Sequence, residues 1–246
     1  MAILIKVETL NHSQAHETPW HCHDVGQLYW LQRGLVIIET DEAQWPITPG
    51  SVGWLPKKNH HKASVLASAQ GVILHITDYH DVSFPQEAGI YSMNDFLSSL
   101  VKRSTCLDGA HYSSDYLTHF IALLGYELKT LKELPLGLPL PSDRRARNIA
   151  DELLKAPANN LSQEQLAKQW GLSVRTLSRI FIKQTGLTFS QWRQQAKVIV
   201  SLKWLLQGLA ISEVAECSGY SNVSAYIKVF SQRFGKTPRK FQPKVR

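Results

Sequence analysis

The 246-residue sequence predicts a two-domain α+β protein. An N-terminal all-β barrel or sandwich followed by helices precedes a C-terminal all-α domain built on a repeat. Three observations carry this. The segment Leu134-Pro-Leu-Gly-Leu-Pro-Leu-Pro141 holds three prolines and a glycine in eight residues. Proline lacks a backbone donor and fixes φ, so neither a helix nor a central strand continues through the segment. Charge divides at the same place: residues 1–141 carry 9 Lys/Arg against 14 Asp/Glu, residues 142–246 carry 18 against 6, and all ten histidines lie in the first part. The patterning changes too, from short apolar runs between turn residues to apolar residues at helical spacing. The expected organisation is a domain over 1–134, with the barrel or sandwich in 1–85 and helices in 93–133. A linker over 135–141 and a basic domain over 142–246 follow.

Several function classes are disfavoured at once. No apolar run approaches the ~20 residues of a membrane span, and Lys6 and Glu8 interrupt the apolar start, unlike a signal peptide. The three cysteines, Cys22, Cys106 and Cys217, are far apart and form no CxxC. That argues against a disulfide framework or a cysteine zinc module, and it fits a reducing cytoplasm. The chain contains no GxSxG, no HExxH and no phosphate-cradling glycine loop, so no enzyme is expected.

In the first 85 residues, Leu28–Leu31, Leu35–Ile38, Val52–Leu55 and Val72–Ile76 read as short strands separated by Gly, Pro and Asn signals. His21-Cys22-His23 precedes the first of them, with Gln27 four residues on. On a strand, positions 21, 23 and 27 share one face, and Cys22 points to the other, where it is read as core. Trp20, Tyr29, Trp30, Trp45 and Trp54 supply either core or pocket walls. In the helical stretch, Leu117, Ile121, Leu124, Leu128 and Leu131 follow a 4-3-4-3 spacing along one helical stripe. That stripe packs on its own barrel or forms a dimer seam, and the spacing leaves both open.

The basic half repeats itself. Leu166-Ala167 answers Val214-Ala215, Gly171 answers Gly219, and Phe181 answers Phe230, so each copy reads as helix, glycine turn, helix, over 162–185 and 211–234. In the first copy Ser162 and Gln165 form a capping box, Gly171 suits the helix end, and Ser173 caps the next helix. Leu177, Ile180, Phe181 and Gln184 then fall on one side, and Arg175, Ser178 and Arg179 on the opposite side. In the second copy Ser221 or Asn222 caps, and Tyr226, Val229, Phe230 and Phe234 point inward. Ser224, Lys228 and Ser231 point outward, Val223 lies at the border, and Ile227 is an outward apolar residue without an assigned role. A helix with one apolar face and an outward Arg-Ser-Arg face suits major-groove reading, because Arg can pair with both acceptors of guanine. Between the copies, Phe189 to Gln207 reads as one helix of about 28 Å at ~1.5 Å per residue. Successive major-groove faces lie about 34 Å apart.

The run Ile211-Ser-Glu-Val-Ala-Glu-Cys-Ser-Gly-Tyr220, with Tyr226-x-Lys-Val-Phe230, Phe234-Gly235 and Thr237-Pro238-Arg-Lys-Phe241, resembles the DNA-binding domain of the AraC/XylS family of bacterial transcription regulators. The resemblance implies base-reading roles for Arg175, Ser178, Arg179, Val223, Ser224 and Lys228. In the first half, His21, His23, Gln27 and Gly34, then Gly50, Pro56 and His61, resemble the two motifs of a cupin barrel. Metal-binding cupins supply three imidazoles and a carboxylate from these positions. Here Gln27 stands for the carboxylate, and Lys58 for a glycine before the last histidine. The implied effector pocket is His21, His23, Gln27 and His61, with His21, His23 and His61 as candidate ligands of a divalent transition metal.

Taken together, the resemblances imply a two-domain α+β chain with a cupin-like barrel, a dimerisation hairpin and a double helix-turn-helix. They imply a sequence-specific, cytoplasmic transcription regulator whose barrel senses a small molecule or metal ion. Double-stranded promoter DNA, RNA polymerase and a second copy of the chain are the implied partners. A cupin enzyme with a DNA-targeting domain is weakened by Gln27 and by the lack of a second carboxylate or base in the two motifs. A purely architectural protein leaves the ten histidines and many aromatics of the first half without a role.

Overall fold

The computed structural model describes residues 5–77, 84–107 and 112–242. Parts of the expected barrel (1–4, 78–83), of the helical stretch (108–111) and of the basic domain (243–246) lie outside the described residues. The chain divides into one unit of residues 1–40 and 45–137 and another of 41–44 and 138–246.

The first unit is an antiparallel β structure. Its strands are β1 (Ile5–His12), β2 (His16–Glu17), β3 (Gly26–Thr40), β4 (Ala43–Ile47), β5 (Ser51–Leu55), β6 (His61–Ile76) and β7 (Gly89–Ser92). The long β6 lies between β1 and β3, while β5 joins β3 to β7. The runs Leu28–Leu31 and Leu35–Ile38 belong to one 15-residue strand, not two. The interruption read at Gln32-Arg33-Gly34 is a bulge: the register of β3 on β6 shifts between Leu31 and Arg33 and again between Gly34 and Val36. An inserted residue bends the strand without ending it. Gly34 has φ +88°, and a Cβ there would lie 2.0 Å from the Ser68 carbonyl oxygen, so no side chain fits.

Side-chain alternation sorts the sheet into two faces. Tyr29, Leu31, Val36, Ile38, Ile47, Leu55, Val65 and Ile73 pack together in one buried cluster. Leu28, Trp30, Val52, Trp54, Val72, Leu74 and Ile76 face the other way. Helices α1 (Asp95–Ser104) and α2 (Ser114–Thr130) cover this second face. They are N-capped by Asn94 and Ser113, whose side chains accept the amides of Leu97 and Tyr116. Ile121, Leu124 and Leu128 are fully buried in that cluster, and Leu117 and Leu131 pack against it. The leucine stripe therefore seats α2 on its own sheet, and the dimer-seam reading of these residues is overturned. Their apolar surface is already withdrawn from water, so it offers little further gain to a second copy.

In the second unit a short strand, β8 (Leu138–Pro139), pairs with Ala43–Gln44. At the end of a sheet the missing proline donor is tolerated. Helices α3 (Arg144–Lys155), α4 (Gln163–Gln169), α5 (Val174–Thr185), α6 (Phe189–Leu206), α7 (Ile211–Cys217) and α8 (Val223–Phe234) follow, with a final 3-10 turn, Pro238–Phe241. Helix α6 is central, and α3, α5, α7, α8 and the 3-10 turn all pack on it. Its Trp192 is fully buried, edge-on to Phe181 of α5, and donates its indole N–H to the Pro139 carbonyl at 2.6 Å. Further along, Ser201 shares a hydrogen bond of 3.0 Å with the buried Tyr226 hydroxyl of α8. Among the described residues no helix is long and apolar enough to cross a membrane.

Candidate DNA interface and effector mouth

Each repeat forms two helices joined by a glycine turn. Ser162 caps α4 through a complete capping box with Gln165, and Ser173 caps α5 by accepting the Thr176 amide. Gly171 and Gly219 make the turns at φ +64° and +74°, where glycine alone avoids the Cβ clash. Of the two candidate caps for α8, Asn222 does the work, accepting the amides of Ser224 and Ala225. Leu177 and Phe181 in the first copy, and Tyr226 and Phe230 in the second, are fully buried. Arg175 and Arg179 of α5, and Val223, Ser224, Ile227 and Lys228 of α8, are exposed on the opposite faces. Ser178 departs from this set. It is half-buried, and its hydroxyl accepts a hydrogen bond from Gln163 Nε2 at 2.8 Å, so it is tied to α4.

The basic charge is less available than its count implies. Arg193 donates to the carbonyls of Leu161 and Asn159, and Lys197 donates to the Gly219 carbonyl at 2.8 Å. Burial lowers the pKa values of Arg193, Lys197 and Lys203, and brings that of Arg233 down to about 10. Arg193, Lys197 and Arg233 tie α6 to the segment before α4, to the second glycine turn and to α8. Lys236, Arg239 and Lys240, by contrast, are exposed.

In the first unit, His21, His23 and His61 come together, one ring nitrogen of each lying within 4.8 Å of the others. The backbone assembles them. His21 and His61 form an isolated antiparallel bridge, with N–H to O distances of 2.9 and 2.8 Å, and the Lys58 amide donates to the His23 carbonyl. Strand β3 begins only at Gly26, after a bend at Asp24-Val25, so the histidines do not share one continuous strand with Gln27. Cys22, expected in the core, is exposed instead. Lys58 is the only non-glycine residue with positive φ among the described residues, at +59°. It adopts the left-handed conformation for which the motif it resembles uses glycine.

The ring nitrogens are sorted by their partners. Nδ1 of His21 donates to the Pro19 carbonyl at 2.8 Å, and Nδ1 of His61 to the Asn59 carbonyl at 2.9 Å. Since a carbonyl can only accept, each Nε2 is left with its lone pair. Nε2 of His61 is buried without a hydrogen-bond partner. Burial pushes the His61 pKa down to about 4, with the nearby histidines adding to the shift and the Asn59 hydrogen bond opposing it. His23 is lowered as well, first by burial and then by His21 and His75. Gln27 is not available in the expected way: it is buried, and its Oε1 accepts the Tyr29 hydroxyl at 3.1 Å.

The sheet face that carries Tyr29 is closely packed. A cavity lined by Tyr29, Ile38, Trp45, Ile47, Trp54 and Leu55 measures about 10 Å³, roughly room for one water. Tyr29, Trp30 and Trp54 are core residues, whereas Trp20 is exposed and stacks on His60 at 5.0 Å.

Two family models match the chain. One, described as a helix-turn-helix domain, covers residues 166–244, and the other, an AraC-like ligand binding domain, covers residues 9–85. Together they span more than half of the sequence, in the order in which the two units occur. The chain belongs to the AraC family of transcription regulators.

Similar proteins carry related names. The HTH-type transcriptional regulator NimR of Escherichia coli is 28% identical over 91% of this chain and 82% of its own length. The HTH-type transcriptional regulator RipA of Corynebacterium glutamicum is 29% identical over 87% of this chain, though the match spans only 61% of RipA. Among solved structures, ToxT of Vibrio cholerae is 13% identical over 96% of this chain and 97% of its own, with a TM-score of 0.41. With both domain models matched, this AraC-family chain is a DNA-binding transcription regulator with an N-terminal ligand-binding domain, and not an enzyme.

Two features of this regulator escape its sequence motifs. Lys197 reads as one more basic residue of a basic domain, yet it is a strut for the second turn. His75, on β6, lies with its ring 5.5 Å from that of His23 and hydrogen-bonded to Glu8 at 2.9 Å. Its cross-strand register with Gln27 is the only signal, and it is visible only once β3 and β6 are paired.

Proposed function

We propose that the regulator reads promoter DNA with α5 and α8 and senses a divalent transition metal, or a small molecule bound through one, at the histidine mouth. The observation that carries the sensing half is the buried, unpartnered Nε2 of His61, on a residue that gathers with His21 and His23 so that one ring nitrogen of each lies within 4.8 Å of the others. An unsatisfied buried acceptor costs about 1–3 kcal/mol, and an ion held by His21, His23 and His61 would relieve it. Three neutral imidazoles suit zinc, nickel, copper or iron, and His21, His23 and His61 would hold the ion. The packed barrel interior also favours a small effector over a bulky enclosed one. Gln27 lines the same pocket as a hydrogen-bonding wall residue. Elemental analysis of protein purified without chelator should give near-stoichiometric metal, and none for His21→Ala/His61→Ala. Metal-free wild type would sink the sensing reading.

On the DNA side, Arg175, Arg179, Val223, Ser224 and Lys228 are proposed to meet base edges. Ser178 joins them through its remaining O–H. The effector alters promoter affinity or contact with RNA polymerase, in the cytoplasm where promoter DNA lies. We place the domains at 1–134 and 142–246, with 135–141 connecting them. The regulator acts as a homodimer through the outward face of α2. Tyr116, Leu123 and Tyr126 are 37%, 41% and 63% exposed there. Their seven- and three-residue spacing forms an apolar stripe opposite the buried one, suited to a second copy of the same helix. Leu123→Lys/Tyr126→Lys should sediment as a monomer with unchanged thermal stability. A dimer surviving both charges would place the interface elsewhere.

A further inference from the structure

We infer that His75 is a fourth protein ligand of the metal site, oriented by Glu8, in the place left by Gln27. The inference rests on the metal reading of the histidine mouth and extends it to two residues outside both motifs. His75 and Gln27 are directly opposed across β6 and β3, so both project from the same face of the sheet. Glu8 sits diagonally across from His75 on β1, where Ile73 is its opposed partner. The three strands thus bring a carboxylate, an imidazole and an amide to the barrel end that holds the other histidines. Gln27 has spent its carbonyl on Tyr29. The His75 ring stands edge-to-face with that of His23 at 5.5 Å.

The nitrogens again show their assignment. Metal-bound histidines characteristically donate their second ring N–H to a carboxylate or a backbone carbonyl, which fixes the tautomer and aims the ligating nitrogen. His21 and His61 do so with the carbonyls of Pro19 and Asn59. His75 does so with a carboxylate: its Nε2 donates to Glu8 Oε2 at 2.9 Å, leaving Nδ1 with the lone pair. The two side chains differ in exposure, 12% for His75 and 52% for Glu8, so the carboxylate stands on the solvent side and the imidazole on the inner side. A sheet-borne His–Glu pair of this polarity, beside three gathered imidazoles, is the arrangement of a ligand with its orienting partner. It would give the ion four nitrogen donors and a nearby negative charge, without the carboxylate ligand of the motif.

The test is X-ray absorption of the full-length protein loaded with one equivalent of zinc, with affinity measured by chelator competition. Wild type should show four imidazole donors, and His75→Ala three. Glu8→Gln keeps the side-chain size at a half-exposed rim and should retain the fold. It should weaken zinc about 10–100-fold, the range for loss of an orienting partner. Wild-type protein with three imidazoles, or affinities unchanged in both variants, would overturn the role of His75 while leaving the three-histidine site standing. Wild-type protein that binds no zinc, copper or nickel would overturn the metal site itself, and this inference with it.

Discussion

Replacing Trp192 by alanine is expected to destabilise the C-terminal domain by about 3–5 kcal/mol, the usual cost of emptying a buried aromatic site. Trp192 is fully buried on the central helix α6, its ring 5.3 Å from that of Phe181, which in turn meets Phe189 edge-on at 5.1 Å. Phe181 is the inward anchor of α5, so the cavity opens directly behind the Arg175 and Arg179 face. Loss of the indole N–H also strands the Pro139 carbonyl. Trp192→Phe isolates that second effect, with a smaller expected cost of about 1–3 kcal/mol. Chemical denaturation with hydrogen exchange read at α5 and α6 checks both values. A loss under ~1 kcal/mol for the alanine variant would mean that α5 is not held by this cluster.

Arg179→Ala should weaken specific DNA binding by about 1–3 kcal/mol and relax base choice at a single position. The residue is exposed on the face opposite Leu177 and Phe181, and a guanidinium can hold both acceptors of a guanine at once. The contrast is with Lys236, Arg239 and Lys240, exposed beyond the second unit's last helix. Neutralising one of these should reduce affinity for every sequence alike and flatten the salt dependence by about 0.9 per phosphate lost. Binding measured against a panel of single-base variants separates the two outcomes. A uniform loss for Arg179→Ala would make it a phosphate contact.

The C-terminal domain was legible in sequence because its signals are local. Ser162, Gln165, Gly171 and Ser173 declare a helix-turn-helix within a dozen residues, and the second copy repeats the glycine turn and the capped second helix, although α7 starts at Ala210 without a side-chain cap. What escaped there was long-range: Ser178 reads as outward by helical angle, but Gln163 reaches it from the preceding helix. The barrel was harder. Gln32-Arg33-Gly34 looks like the end of a strand, and only the pairing with β6 reveals a bulge. The leucine stripe of α2 announces burial without naming the partner, and the sheet beneath it decides the matter. The histidine cluster followed from two motifs far apart in sequence, whereas His75 and Glu8 belong to no motif. They reach the mouth through the register of β1 and β3 on β6.

On the proposed reading, occupation of the histidine mouth changes DNA binding by the same chain. The direct measurement is the affinity of full-length protein for duplexes selected from a random pool, with one equivalent of zinc and then with chelator. Wild type and His21→Ala/His61→Ala should be compared at fixed salt. Zinc is expected to shift the specific affinity of the wild type several-fold and to leave the variant unchanged, since a ligand moves a conformational equilibrium only through differential binding. Equal affinities with and without zinc, in a wild type shown to hold the metal, would contradict it.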